Sequence, residues 1–306
     1  MSNPPVAVLM STYNGEKYLI EQINSILNQS YENIHLFIRD DGSTDDTRSI
    51  LNQFMDNPKI TVIQGTKNLG YRNSFFTLVQ EAISNEKNFD YYAFSDQDDV
   101  WHTEKISSAI RMLEQHKNNS YRIYYTGLTF VDEQLNFLKI KDESKTKTSF
   151  GAEIVRHSIS GATTVFSYDL GKLAVTNMEQ LKISGGHDAF LFRLNAAIQG
   201  EFICDESNYI MFRRHNTNTS SATSGLIHKL KKEFMNSDNS EMDTAIFIQK
   251  YFPDMLDIET SEDIHVLINY RKSLFDKFKL LNNKRFRREN VIMNVLFLYR
   301  VIFNKI

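Results

Sequence analysis

Three carboxylates crowd one short stretch of this 306-residue chain: Asp96, Asp98 and Asp99 in Ser95-Asp96-Gln97-Asp98-Asp99. Like charges this close repel and are costly to hold unless something positive joins them. A divalent cation with oxygen ligands does that. Magnesium takes one or two carboxylates and fills its shell with phosphate oxygens and water. A cation so held would neutralise charge on a departing diphosphate. The plainer account is a solvated acidic turn capping a helix that begins near His102.

Three more polar clusters accompany it: Ser11-Thr12-Tyr13-Asn14-Gly15, Arg39-Asp40-Asp41-Gly42-Ser43 and Lys67-Asn68-Leu69-Gly70-Tyr71-Arg72. Asp40 or Asp41 is placed to accept hydrogen bonds from a base or ribose. Thr12 and Tyr13 would line the same pocket, Tyr13 by stacking. Arg72 either faces a diphosphate or is an exposed arginine at a helix start. Ser43 fits a helix N-cap, and Asp, Gly and Ser suit the turn around it.

Each cluster directly follows an apolar run, at residues 6–10, 34–38, 60–63 and 91–94. Between the runs, apolar residues recur at helical spacing: Tyr18, Leu19, Ile23, Ile26; then 47–54; then Phe75, Phe76, Val79, Ala82; then Ile106, Ile110, Leu113. Strands alternating with helices predict an α/β fold with a mostly parallel sheet covered on both faces. Ligands bind beyond the carboxyl ends of such strands. The four clusters should therefore converge on one rim. The pattern loosens after Tyr121, with strands expected at 123–131 and 159–166, an exposed loop at 142–148 and a helix at 187–197. A polar stretch at 216–221 suggests a boundary between a domain of residues 1–220 and a helical region of 221–306. Helices are expected there at 226–252, 262–281 and 285–303.

The net charge of -3 hides an asymmetry. Residues 265–306 carry ten Lys/Arg against two acids, a net of +8, so the remainder holds -11. Basic residues beside the apolar helix at 285–303 suit an anionic lipid surface. Alternatively these helices pack on the acidic domain or on a second copy. The single cysteine, Cys204, excludes an internal disulfide and suits a reducing compartment. The first residues lack the pattern of a signal peptide, and no window is apolar enough to span a membrane. A cytoplasmic location is expected, at most peripheral on the inner membrane face, with no nucleic-acid partner.

The motifs STYNGEKYLIEQINSILNQSY, RDDGSTDDT, NLG and FSDQDDVW, in this order and spacing, closely resemble the inverting family 2 glycosyltransferases of the GT-A fold. The likeness covers roughly residues 5–215. SDQDDVW after STYNG is most similar to bacterial rhamnosyltransferases that build cell-surface polysaccharides from dTDP-rhamnose. The resemblance implies a nucleoside diphosphate sugar donor (dTDP-rhamnose or a UDP-hexose), a saccharide or lipid-linked acceptor, and a divalent cation, Mg2+ or Mn2+. It places Asp40 or Asp41 on the base, with Thr12, Tyr13 and Asn14 beside it, and Asn68 and Arg72 on the donor side. Asp98 would be the direct metal ligand, Asp96 a second nearer the ribose, and Asp99 a partner of sugar hydroxyls. Gly161 would lie in a small-residue loop against the donor sugar. Asp188 would be the catalytic base, although His187 stands where the family usually has Glu. His215 would complete the metal shell. Read locally, Asp188 also fits a helix N-cap and His215 a surface histidine.

Rival readings fare less well. A dinucleotide-dependent oxidoreductase needs G-x-G-x-x-G, and the first turn holds only Gly15. A metal-dependent nucleotidyltransferase wants a basic, Gly-rich first loop, and only Lys17 is near. A non-catalytic sugar-nucleotide or carbohydrate-binding module would have no need of the intact carboxylates.

Overall fold

The computed structural model describes residues 3–180, 185–215 and 240–306. Its first elements alternate as expected: β1 (Val6–Thr12), α1 (Leu19–Leu27), β2 (Ile34–Asp40), α2 (Thr47–Asn52), β3 (Ile60–Gln64), α3 (Tyr71–Ile83), β4 (Tyr91–Ser95), β5 (Val100–Trp101) and α4 (Lys105–Gln115). There follow β6 (Arg122–Thr126), β7 (Leu128–Val131), β8 (Phe137–Lys141), α5 (Phe150–Val155), β9 (Val165–Ser167), α6 (Tyr168–Val175), α7 (His187–Ala197), β10 (Glu201–Asp205) and β11 (Ile210–Arg213). Beyond the gap in description lie α8 (Ser240–Tyr251), α9 (Ile258–Asn269), α10 (Leu274–Asn282) and α11 (Val291–Ile302).

Two compact units emerge, and neither is continuous in sequence. The first draws on Met1–Ser144, Ile159–Thr176 and Glu201–His215. The second draws on Lys145–Ser158, Asn177–Gly200 and Asn216–Ile306. Residues 145–158 and 177–200 thus group with the C-terminal helices, which a single boundary near 220 did not foresee. The polar stretch at 216–221 lies outside the described residues.

The first unit holds a seven-stranded sheet of order β10-β6-β9-β4-β1-β2-β3. Its strands pair in parallel except for β9, which runs antiparallel to both β4 and β6. Side chains alternate between its faces. Val6, Val8, Met10, Leu36 and Ile38 join one core with Ile23 and Ile26 of α1 and Ile106 and Ile110 of α4. Phe94, on the alternate face, meets Phe75 of α3 at 5.2 Å and Phe166 of β9 at 4.8 Å between ring centroids. Register sets the rim: Thr12 lies opposite Asp40, Asp40 opposite Gln64, and Met10 opposite Ser95. The four polar clusters leave the sheet at this one edge.

A second sheet of order β5-β11-β7-β8 stands beside it in the same unit. The expected strand at 123–131 is divided between the two sheets at Gly127. A Cβ there would come within 2.2 Å of the Lys141 carbonyl and 2.6 Å of Asn208 Oδ1, so the crossing requires glycine. The expected strand at 159–166 becomes a 3-10 turn, Gly161–Thr163, followed by short β9. The loop at 142–148 forms, but Glu143 is buried in it and paired with Lys141.

The second unit is helical. Its helices touch in a closed succession: α5 with α7, α7 with α8, α8 with α9, α9 with α10, α10 with α11, and α11 with α5. The expected helix at 262–281 is two, because the chain turns after Asn269 and Ser273 Oγ caps α10 through Asp276 N at 3.1 Å. The helix expected at 285–303 begins only at Val291, capped by Asn290. Only the part of 226–252 from Ser240 onward is described. Leu274, Phe275, Phe278, Val291, Val295, Ile302 and Phe303 are exposed on α10 and around α11.

Candidate active site

Gln97 ties the first loop to the carboxylate loop. Its Oε1 accepts from Thr12 Oγ1 at 2.6 Å and Tyr13 N at 2.9 Å, and its Nε2 donates to Tyr13 O at 3.2 Å. The loop passes so close that a Cβ on Gly15 would meet Gln97 Oε1 at 2.4 Å and Thr12 Oγ1 at 2.8 Å. Asn14, in a left-handed conformation, joins the first and second clusters. Its N–H donates to Ser43 Oγ at 2.9 Å, and its Oδ1 accepts from Thr44 N at 2.9 Å. Thr12 is buried, while the Tyr13 ring is exposed as a stacking surface would be.

Asp40 and Asp41 are both buried. Asp40 accepts from Ser43 N at 3.0 Å and Arg48 Nε at 2.7 Å. Asp41 pairs with Arg39 and accepts from Leu69 N at 2.9 Å and Gly70 N at 2.9 Å. These carboxylates pin the second and third clusters to each other. Both carboxylates, expected on a base, are engaged by groups of the protein itself. Asn68 is exposed, its Oδ1 accepting from Gly70 N at 2.8 Å, and Arg72 sits half-buried in the first turn of α3. Gly161 is buried in its 3-10 turn against β4.

In the carboxylate loop the three aspartates part company. Asp98 Oδ2 lies 2.7 Å from Nε2 of His215, just past the end of β11. Both side chains keep some surface, 17% and 9%. Asp96 is half-buried at the end of β4. Among the described residues no group of three or more His, Cys, Asp or Glu is arranged as a metal-binding set. The expected trio of Asp96, Asp98 and His215 is therefore a close pair plus a separate aspartate. Asp99, expected to face sugar hydroxyls, has no exposed surface and accepts from Arg213 N at 3.0 Å. Burial, then the charges of Asp98 and Asp96, push its carboxyl well above the usual carboxylate range. Nearby Lys105 is pushed down to about 7 by burial, opposed by Asp99, with its Nζ 3.9 Å from the Trp101 ring centroid.

Arg213 is the residue that sequence reading missed. Fully buried, it donates from Nε to Asp98 O at 3.0 Å and from Nη1 to Glu133 O at 2.6 Å, and it pairs with Glu21. Its guanidinium lies 4.4 Å from the Tyr18 ring centroid, and the His215 ring lies 5.1 Å from the same ring. One side chain thus fixes the backbone of Asp98 and the end of the strand that leads to His215. The basic run Arg213-Arg214-His215 was the available signal, but β11 was not recognised as a strand.

Asp188 lies in the second unit, in the first turn of α7. Its Oδ1 accepts from the adjacent Ala189 N at 2.8 Å; the N-cap position is Gly186, so Asp188 does not cap the helix. Its Oδ2 is 3.8 Å from Nε2 of His157, a residue no motif singled out. His187 beside it is buried, which pushes its imidazole down to about 4.

A model of the family described as Glycosyl transferase family 2 matches residues 7–167. The chain belongs to glycosyl transferase family 2. Among its relatives, dTDP-rhamnosyl transferase RfbG of Shigella flexneri is 29% identical over 230 residues, 73% of this chain and 77% of that protein. UDP-Glc:alpha-D-GlcNAc-diphosphoundecaprenol beta-1,3-glucosyltransferase WfaP of Escherichia coli is 34% identical over 131 residues, 41% of this chain and 48% of that protein. Among solved structures, S. aureus TarS 1-349 in complex with UDP-GlcNAc aligns with a TM-score of 0.60 at 16% identity, covering 99% of this chain and 82% of that one. The fold is accordingly of the GT-A type, with helices following it. This family 2 enzyme is a glycosyltransferase that uses a nucleotide-sugar donor.

Proposed function

We propose that this enzyme is a divalent-cation-dependent, inverting transferase working in cell-surface polysaccharide synthesis, with a deoxythymidine-linked sugar, dTDP-rhamnose, as donor. The observation that carries the metal reading is the approach of Asp98 Oδ2 to His215 Nε2 at 2.7 Å. A carboxylate oxygen and an imidazole nitrogen are both metal-ligand atoms, and they meet at the rim where a donor would lie. Two protein ligands fit a cation that takes its remaining ligands from diphosphate and water. Asp98 and His215 would hold it, with Asp96 toward the ribose. Once bound, it would supply positive charge to the departing diphosphate. The similarity to RfbG supports rhamnose; a UDP-hexose is the alternative.

The chain's own residues supply the rest. Thr12, Tyr13 and Asn14 form a donor wall braced by Gln97, Asp40 and Asp41. Asn68, Asp99 and Gly161 complete the donor side, Asp99 by holding the loop from within. Arg72 is proposed on the diphosphate. Asp188 takes the proton from the acceptor hydroxyl as that oxygen bonds to the anomeric carbon and the bond to the diphosphate breaks. Displacement from the face opposite the leaving group inverts the centre, with no covalent enzyme intermediate. Calorimetry with dTDP and UDP, each with Mg2+, Mn2+ or chelator, tests the reading. Tighter binding of dTDP that vanishes with chelator is expected; a clear preference for UDP overturns rhamnose.

The acceptor is proposed to be lipid-linked, as the acceptor named for WfaP is, and the enzyme to work at the inner membrane surface. No helix among the described residues is long and apolar enough to cross a membrane. Exposed Phe275, Phe278, Val291 and Phe303, with exposed Lys272, Lys279 and Lys284, support contact with an anionic surface. The arginines first expected to serve there are used internally: Arg285 pairs with Asp263, and buried Arg288 with Glu153. A homodimer through the same helices is the alternative.

A further inference from the structure

Behind Asp188 the second unit buries a line of charge that no motif announced. His157 follows α5, is nine-tenths buried, and packs its ring 4.9 Å from that of Phe192. Its Nδ1 lies 2.6 Å from Glu153 Oε2. Glu153 has no exposed surface, and its Oε1 accepts from Arg288 Nη1 at 3.2 Å. Arg288 is fixed in turn by Lys147 O at 2.8 Å and Ser158 Oγ at 2.7 Å. At the other end of the ring, Nε2 has no hydrogen-bond partner among the described residues and sits 3.8 Å from Asp188 Oδ2.

Among the described residues, Glu153 and Asp188 are the carboxylates beside the ring, and His187 adjoins it on α7. Arg288 faces Glu153, with Glu289 3.5 Å away on its outer side. Arg193 donates to the Glu153 carbonyl at 3.3 Å and lies 3.8 Å from Glu241, which Arg300 also pairs. Arg288 therefore answers Glu153, and the imidazole lies between Glu153 and Asp188. A protonated ring would donate Nδ1–H to Glu153 and aim Nε2–H at Asp188.

We propose that His157 is a positioning residue for Asp188: held through Glu153 by Arg288, it supplies the counter-charge that orients the carboxylate and keeps it ionised as a base. This rests on the reading of Asp188 as the base, yet the two are separable. A neighbouring positive charge favours the ionised form of a carboxylate.

Ring titration followed by NMR on 15N-histidine-labelled protein tests the coupling without any donor. The His157 signal is assigned by its loss in His157→Gln. In Asp188→Asn the ring is expected to give up its proton about one pH unit lower; an unchanged titration overturns the proposal. Turnover of dTDP-rhamnose, read as dTDP release, gives the second measurement. His157→Gln should lower kcat at least about tenfold with donor KM within about twofold, and move the acidic limb of the profile upward by about one unit. In an Asp188→Asn background it should cost nothing more. If Asp188→Asn keeps full turnover, the base assignment falls while the ring titration still decides the coupling. If Asp188→Asn is inactive but the ring titrates as before, the coupling falls and the base stands.

Discussion

Asp98 and His215 are 117 residues apart in sequence, yet Oδ2 of one and Nε2 of the other are 2.7 Å apart. Asp98→Asn keeps the shape and a hydrogen-bonding group but loses the ionised oxygen. It should leave the fold intact and abolish the metal-dependent part of nucleotide affinity, a loss of about tenfold or more. Calorimetry with dTDP in Mn2+ and in chelator checks this, with circular dichroism as the folding control. Equal metal dependence in variant and wild type would remove Asp98 from the site.

Arg213→Met should destabilise the protein by ~2–4 kcal/mol, because it strands the carbonyls of Asp98 and Glu133 in the interior. Glu21 is half exposed and contributes less. The measurement is the urea midpoint at constant slope. A change under ~0.5 kcal/mol would mean that water replaces the guanidinium.

Acid should weaken the fold through His35. Burial, then Lys87, push its imidazole down to about 4 from the usual 6.5. The geometry agrees: Lys87 Nζ donates to Nδ1 at 2.9 Å, so a neutral ring donates from Nε2 to Thr61 Oγ1 at 2.8 Å. Above pH ~6.5 both folded and unfolded chains are neutral here. Below it the unfolded chain takes a proton that the fold refuses, so stability falls between pH ~6.5 and ~4, by on the order of 2–3 kcal/mol. His187, lowered for the same first reason, adds to the slope. His35→Phe should flatten part of it in urea titrations at pH 7, 5.5 and 4.5; an identical slope would exclude His35.

Replacing Phe275 and Phe278 by Ser should leave stability nearly unchanged, since both are about two-thirds exposed at 66% and 67%. Co-sedimentation with anionic vesicles should fall several-fold. Negligible binding of the wild-type chain to anionic and neutral vesicles alike, with a dimer in sedimentation, would assign these helices to a protein interface.

The first half of the fold was legible because each strand is a mostly apolar run, broken only by residues such as His35 and Thr61, and the helices carry apolar residues at helical spacing. The rim followed from topology alone, since parallel strands must end on one side. The loss of legibility begins at Gly127, where a strand leaves one sheet for another, a tertiary event with no period of its own. β5 and β11 are too short to announce themselves, and so Arg213 was passed over. Asp40 and Asp41 were found but given the wrong neighbours, because residue type cannot show that Leu69 and Gly70 already occupy a carboxylate. His157 was passed over although Glu153 precedes it by four residues, since its approach to Asp188 depends on tertiary packing.

The pairing of Glu153 with Arg288 spans 135 positions, and that distance imposes an order on synthesis. On the ribosome, every strand of both sheets is out by Arg213, so the first unit has its parts long before the second. Residues 145–158 and 177–200 must then wait, with Glu153 lacking its arginine and left to its neighbour His157, until the last helices arrive. A chain stopped near residue 220 would keep both sheets and carry two orphaned segments, and those are where a protease or chaperone should find it first.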